Sequence, residues 1–305
     1  MPFGGNDWLD LVREPTLEPD IPICDPHHHF WDFRSQSVPY HTYLLHDLIG
    51  DIGSGHNIIS TVFVEARSMY RSGGPDHLKS VGEVEFVQGL AAASASGLYG
   101  PSKAAAAIVG HADLKLGTQV EEVLNQLKSA SPNRFRGIRH NVTWSPAPEI
   151  ENRENQGLLG DTTFRSGARV LAKLGLTFDT MLFFPQLLEL ADFAKAIPDL
   201  KIILNHAGGV NRVGFYAGKE DEIIRTWEKG ISEVSSCPNV YLKLGGLGMP
   251  RWGFGWYKRD LPVSSDELAS SMAPFMNYCI EQFGPDRCIC LLYTSPSPRD
   301  GLLSR

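Results

Sequence analysis

Short β-rich runs alternate with helical patterns along most of this chain, and no other feature narrows its fold as much. The first run starts at Ile21 and ends at His29. Ile58 to Glu65, Ala106 to Ala112, Phe135 to Asn141, Leu176 to Asp179, Lys201 to His206 and Asn239 to Lys243 follow, with Arg287 to Leu291 as a last candidate. Between them apolar residues recur at three- and four-residue spacing. Examples are Leu187, Leu190, Ala191, Ala194 and Ile197; Ile223, Ile224, Trp227, Ile231 and Val234; and Leu268, Met272, Phe275, Met276, Cys279 and Phe283. That spacing marks helices with one buried face. Repeated strand-helix units imply parallel strands joined by right-handed crossovers, and some eight of them in 305 residues predict a (β/α)8 TIM barrel, a doubly wound open sheet being the alternative. No linker-like composition shift divides the chain. A single barrel domain over residues 21–289 is expected, preceded by an irregular arm over residues 1–20.

Charge and cysteine usage narrow the function classes. A net charge of −7 with no basic run offers no electrostatic footprint for nucleic acid or an anionic membrane, so a small molecule is the expected partner. No segment is apolar for the roughly 20 residues a membrane span needs, and the first residues carry neither a basic nor an apolar leader region; a cytoplasmic location is expected. The 5 cysteines lack C-x-x-C spacing, which suits reduced thiols better than a disulfide framework. Asn141-Val-Thr143 matches a glycosylation sequon and, without a secretion signal, is read as chance.

Chemistry concentrates where strands end. In Asp25-Pro-His-His-His29 alternate side chains of an extended strand share a face, so His27 and His29 point one way and His28 the other. Neutral imidazoles held this way suit zinc, although a pair of buried histidines satisfied by backbone carbonyls is the competing reading. Barrel enzymes gather their active groups at the carboxyl ends of the strands. Here Glu65 closes the second run, His111 with Asp113 the third and Asp179 the fifth, while Arg139 and His140 lie on the fourth, and His206 and Lys243 close the sixth and seventh. Packing alone does not account for seven apolar runs that each carry an ionisable group, because burying such groups costs several kcal/mol unless they are paired or metal-bound.

These residues carry a family resemblance. Asp25-Pro-His-His-His-Phe-Trp-Asp32, Gly137-Ile-Arg-His140, Phe178-Asp179 followed by Pro185-Gln-Leu187, Asn205-His-Ala-Gly-Gly209 and Lys243-Leu-Gly-Gly-Leu247 resemble the amidohydrolase-related, predicted metal-dependent TIM-barrel hydrolases, which include lactonases. Glu281-Gln-Phe-Gly-Pro-Asp-Arg-Cys288 is similar to that family's approach to strand eight. The resemblance implies a hydrolase that opens a lactone or related cyclic ester with activated water. His206, His27 and His29 are its expected catalytic residues, and the same three would hold a divalent metal, zinc first, or polarise the carbonyl directly in a metal-free acid-base site. Arg139, His140, Asp179, Gln186 and Trp31 are the expected substrate-binding residues, Arg139 and His140 because guanidinium and imidazole suit an anionic carboxylate. For each a scaffold role competes, Arg139 as a barrel-floor ion-pair partner and His140 as a satisfied core histidine. Glu65 and Lys243 are weaker candidates, expected to pair with each other across the barrel mouth. A carbon-carbon lyase on the same scaffold is the alternative activity.

Two departures qualify the resemblance. Phe183-Phe184 precedes Pro185-Gln186 where relatives often place a histidine. After Cys290 stands Leu-Leu-Tyr-Thr-Ser-Pro-Ser-Pro-Arg-Asp300, in place of the Ser-Asn-Phe-Pro-Val-Asp type of segment whose aspartate serves as base or ligand. Residues 290–305 resemble a translated sequencing adapter, and Pro296 and Pro298 do not suit a central strand. The expectation is a barrel truncated at strand eight, inactive as written or a fragment with no function of its own, with bare edges on strands one and seven and marginal stability. Gly245 to Trp256 is not a dinucleotide fingerprint; it reads as a mouth loop whose Trp252, Phe254 or Trp256 either wall the site or pack on the barrel.

Overall fold

A computed structural model of the chain describes residues 8, 11–33, 41–150 and 152–290. Eight strands run in chain order around one sheet: β1 Ile23–His28, β2 Ile58–Val64, β3 Lys103–Gly110, β4 Phe135–Arg139, β5 Thr177–Thr180, β6 Ile202–Leu204, β7 Val240–Leu244 and β8 Cys288–Cys290. Every adjacent pair from β1·β2 to β7·β8 is parallel. Helices pack outside them: α1 Leu45–Ile52, α2 Val81–Ala95, α3 Val120–Ala130, α4 Thr162–Lys173, α5 Leu187–Ala196, α6 Glu220–Ser235 and α7 Ser265–Phe283. This is the (β/α)8 TIM barrel that the alternation predicts, and the open doubly wound sheet is set aside because the strand order is strictly sequential.

Local chemistry explains the helix positions. α6 buries Ile223, Trp227, Gly230, Ile231 and Val234, one stripe at three- and four-residue spacing, and opens with Glu220, Asp221 and Glu222, whose charge suits a helix N-terminus. Asp161 caps α4 by accepting from the Phe164 N–H at 2.8 Å, and Ser264 caps α7 by accepting from Glu267. The arm that precedes β1 is tied to α7, because the Glu14 carboxylate accepts from the Ser265 N–H at 3.0 Å.

Strand eight corrects one expectation. Cys288, Ile289 and Cys290 pair with Leu242, Lys243 and Leu244, so the edge of β7 is covered rather than bare. Among the described residues no ladder joins β8 to β1, and the barrel is nearly closed. The segment from Leu291 onward, with Pro296, Pro298 and Asp300, lies outside the described residues, as do most of residues 1–10.

Candidate active site

Side-chain alternation places the polar groups inside the barrel mouth. On β1 the inward series is Asp25, His27 and His29, while His28 points out between Phe30 and Phe63, with ring centroids 4.7 and 5.9 Å away. Burial there drives the His28 pKa down to about 3, so it is a neutral core residue. His29 is anchored by its Nδ1, 2.7 Å from the Val64 carbonyl oxygen. His27 Nε2 lies 3.2 Å from His29 Nε2, and the His27 ring centroid is 5.0 Å from that of His206. The three expected histidines therefore do converge.

His206 sits in a left-handed backbone conformation, φ 55, followed by Ala207 at φ 49. Non-glycine residues rarely adopt it, and such strain persists where the surrounding fold over-determines it. The ring leans on Gly246, φ 72, where an added Cβ would meet His206 Nδ1 at 2.5 Å. Glycine is required there on both counts. Burial first, then the Arg251 and Arg139 cations, hold His206 well below the usual histidine pKa; burial, Lys243 and His29 do the same for His27.

Ion pairing differs from the expectation at the mouth. Glu65 accepts from Arg139 Nε at 2.8 Å, and the Asp179 carboxylate takes Lys243 Nζ at 2.8 Å, so Glu65 and Lys243 do not pair with each other. Barrel geometry supplies the reason, since interior layers are filled from alternate strands: β2 with β4, and β5 with β7. Arg139 also donates from Nη2 to the Glu65 carbonyl and turns Nη1 toward His27 Nε2 at 3.4 Å.

Several expected substrate-binding residues are engaged by the scaffold. His140, one residue beyond Arg139, faces the helical layer, with Nε2 3.1 Å from Glu154 and its ring 5.2 Å from Phe164. Gln186 accepts from the Trp144 and Phe183 N–H groups and donates to the Val142 carbonyl, fastening the loop after β5 to the chain after β4. Trp31 is 2% exposed and packs on Tyr43 at 5.3 Å. His111 donates from Nδ1 to the Arg139 carbonyl at 3.0 Å, and Asp113 accepts from the Lys115 N–H. In the glycine-rich loop Trp252, Phe254 and Trp256 form a parallel stack, and Trp252 lies edge-on to Phe275 of α7 at 5.1 Å, so Trp252 and Trp256 pack rather than line a cleft.

Two residues that the sequence reading gave no role stand out. Asp25 accepts from the His27 N–H at 3.2 Å, and burial pushes its carboxyl up to about 6. Arg251 is 8% exposed, its Nε has no hydrogen-bond partner, and no carboxylate among the described residues lies within ion-pair distance of it; burial alone lowers its pKa to about 10. The signal for Arg251 is its position, the one cation of the glycine-rich stretch from Gly245 to Trp256 that follows β7.

Zinc imposes a fixed spacing on its donors. Tetrahedral zinc with bonds of about 2.0–2.1 Å separates its nitrogen ligands by about 3.3 Å. The 3.2 Å between His27 and His29 Nε2 has that length. His29 also has the carbonyl partner on its other nitrogen that ligating histidines use. The Nδ1 of His27 faces the Lys243 ammonium at 3.4 Å. Among the described residues no group of three His, Cys, Asp or Glu side chains is gathered closely enough to hold a metal ion, and the arrangement does not fit the three-histidine site expected.

Comparison with known proteins places these features. A family model described as "Amidohydrolase" matches residues 24–289. A curated protein of Sinorhizobium fredii, y4mH, whose function is uncharacterized, is 27% identical over 93% of this chain and 88% of its own length. An L-fucono-1,5-lactonase of Burkholderia multivorans is 23% identical over 92% of this chain and 87% of its own. Crystal structures of an amidohydrolase from Burkholderia multivorans superpose with a TM-score of 0.62, one holding HEPES at 21% identity and one holding zinc at 22%, each over 88% of this chain and 83% or 82% of theirs. Among the described residues no helix is long and apolar enough to cross a membrane.

Proposed function

We propose a hydrolytic function for this chain, which belongs to the amidohydrolase family: opening of a lactone, or related cyclic ester, on a small substrate that carries a carboxylate. The observation that carries the reading is Arg251. Among the described residues no carboxylate meets this guanidinium; burying it so costs several kcal/mol, and a site that keeps it is shaped for an anion that arrives with the substrate. Guanidinium also grips a carboxylate in two-point fashion. The named relative that is a lactonase supports the reaction class.

The other mouth residues suit acyl-oxygen chemistry. Ester hydrolysis develops negative charge on the carbonyl oxygen, and donors fixed in a dry cavity stabilise it best. Arg139 Nη1 and the His27 ring lie together at the centre of the mouth, positioned by Glu65 and by Lys243 with Asp179. His206, kept neutral at ordinary pH, presents an imidazole rather than a cation to the reacting group. Neither Glu65 nor Asp179 is available as the general base, because each is held by a cation. The base of this scheme is the strand-eight aspartate that the resemblance implies and that the residues after Cys290 do not supply in that register. The chain as written is therefore proposed to bind its substrate and turn it over poorly.

A panel of sugar-acid and aromatic-derived lactones, followed by pH-stat, tests the proposal. The assay uses the chain as written and one carrying Ser-Asn-Phe-Pro-Val-Asp after Cys290. Acid release at least a hundredfold faster in the second chain is expected. Carbon dioxide instead of acid would move the assignment to a lyase, and neither product from any member would overturn the reaction class. Arg251→Met should weaken binding of carboxylated lactones at least tenfold and leave neutral ones within twofold. Equal losses for both would remove the anion-anchor role.

A further inference from the structure

Four consecutive residues just after β6 turn in the left-handed sense. His206, Ala207, Gly208 and Gly209 have φ of 55, 49, 77 and 63. L-residues visit that region singly, because each Cβ crowds the carbonyl oxygen that follows, so a run that opens with histidine and alanine persists only where its surroundings hold it. Glycine supplies the rest: a Cβ on Gly209 would stand 1.9 Å from the Leu182 carbonyl oxygen, and one on Gly208 3.1 Å from the Leu187 side chain. The Gly208 and Gly209 N–H groups donate back to the Asn205 and His206 carbonyls at 3.3 and 3.1 Å, and the Phe184 N–H donates to the Gly209 carbonyl at 3.2 Å. These bonds close the turn and tie its far end. Its middle is held from outside the barrel, where the indole Nε1 of Trp227 on α6 donates to the Ala207 carbonyl at 2.7 Å. Trp227 is buried between α6 and α7, its ring centroid 5.6 Å from that of Phe275 and 5.4 Å from that of Tyr278.

The aim of the His206 ring depends on this turn. Its Nδ1 has no hydrogen-bond partner, whereas Arg139 and Lys243 are each tied to a carboxylate. What directs the imidazole is the backbone beneath it and the Gly246 surface beside it. We propose that Trp227 is a positioning residue for His206: its indole N–H, acting through the Ala207 carbonyl, holds the left-handed turn that aims the imidazole into the mouth. A buried carbonyl that loses its donor is left unsatisfied, and turning the peptide plane is its way to a new partner. That motion takes Ala207 out of the left-handed region and carries the neighbouring His206 with it. The effect on turnover rests on the ester-opening role proposed for His206; the hold on the turn does not.

Trp227→Phe keeps an aromatic ring between α6 and α7 and removes the N–H. Tyr278→Leu is the control, since it trims the same helix contact, together with the Tyr278 hydroxyl bond to the Glu228 carbonyl, and leaves the indole in place. In the chain as written, amide exchange at Gly208 and Gly209 should quicken at least tenfold in Trp227→Phe, and the His206 ring resonances should shift; in Tyr278→Leu exchange there should stay within twofold and the ring resonances should not move. In the chain carrying Ser-Asn-Phe-Pro-Val-Asp after Cys290, Trp227→Phe should lower kcat for a lactone at least tenfold with KM within twofold, and Tyr278→Leu should leave both within twofold. Unchanged glycine exchange and His206 resonances in folded Trp227→Phe overturn the proposal, as do equal effects in the two variants, which would reduce Trp227 to packing. Altered resonances with unchanged kcat overturn the link to turnover. If the unaltered restored chain opens no lactone, the ester-opening reading fails, and the exchange and resonance comparison still decides the role of Trp227. Should Trp227→Phe not fold, the indole N–H of the unaltered protein decides: exchange at least a hundredfold slower than that of a free indole is expected, and exchange as fast as a free indole overturns the proposal.

Discussion

Gly246 shows how little space separates a working His206 from a displaced one. Its φ of 72 belongs to the left-handed region, and an added Cβ would stand 2.5 Å from His206 Nδ1. Gly255 provides an internal control, since its φ of 70 is nearly the same but no atom lies within 4 Å of the equivalent Cβ. Either substitution to alanine carries the left-handed strain of about 1–2 kcal/mol. Only Gly246→Ala also pushes on the imidazole. Gly246→Ala should therefore lose more thermal stability than Gly255→Ala, and lactone turnover well below both melting temperatures, in the chain carrying Ser-Asn-Phe-Pro-Val-Asp after Cys290, should fall at least tenfold for Gly246→Ala and less than twofold for Gly255→Ala. Equal turnover in the two would mean that His206 does not act where its ring stands. None of this is readable from Asn205-His-Ala-Gly-Gly209 alone. The sequence marks His206 as a strand-end histidine, whereas its backbone strain and its neighbour 40 residues later exist only once β6 and β7 lie side by side.

At the scale of elements, α2 shows a helix serving the loop of the strand before it. Glu83, in the first turn of α2 and fully buried, accepts from the Ala66 and Ser68 N–H groups at 2.9 and 2.8 Å, which fastens a loop in which Arg67 and Met69 both have left-handed φ. Burial first, and then the nearby Glu65 charge, push the Glu83 carboxyl up to about 8 from the 4.5 of an unfolded chain. An acid whose folded pKa is raised stabilises the fold fully below pH 4.5, and that contribution is lost as pH rises through about 8. Glu83→Gln keeps the accepting oxygen and cannot ionise, so it should match the unaltered protein near pH 5 and melt higher at pH 9. Glu83→Ala strands the buried Ser68 N–H and the partly buried Ala66 N–H and should cost about 2–3 kcal/mol at either pH. Thermal melts across this range check both, and a Glu83→Gln curve parallel to the unaltered one would refute the raised pKa. The elements themselves were legible: periodicity located β1 to β7 within a few residues, and the apolar stripe of α6 recurs almost residue for residue as its buried face. The ion pairs were not. Partner choice depends on which alternate strands share an interior layer, so Glu65 meets Arg139 and Lys243 meets Asp179, a geometry that exists only after closure.

For the whole molecule, cooperativity turns on the seam between β8 and β1. Central strands such as β4 and β5 carry parallel ladders on both sides, with Arg139 paired to Asp179 in register. β8 is 3 residues long, pairs on one side only among the described residues, and leaves Cys288 and Ile289 half-buried and Cys290 exposed, while Val240, Leu242, Lys243 and Leu244 of the neighbouring β7 are buried. α7, which should roof that seam, buries only Met272, Cys279 and Phe283 of its 19 residues, although Leu268, Phe275 and Met276 lie on the same face. Few buried apolar contacts and a one-sided ladder lower the free energy of local opening relative to the global value. Amide hydrogen exchange should thus find β8 and the C-terminal half of α7 exchanging at least about a hundredfold faster than β4 and β5, a difference of roughly 2.7 kcal/mol in opening free energy. The chain carrying Ser-Asn-Phe-Pro-Val-Asp after Cys290 should recover most of that protection if a longer eighth strand completes the ladder to β1. Equal protection of β8 and β4 in the chain as written would mean that the seam is already sealed, and the slow turnover proposed for it would then need a cause other than an unfinished strand.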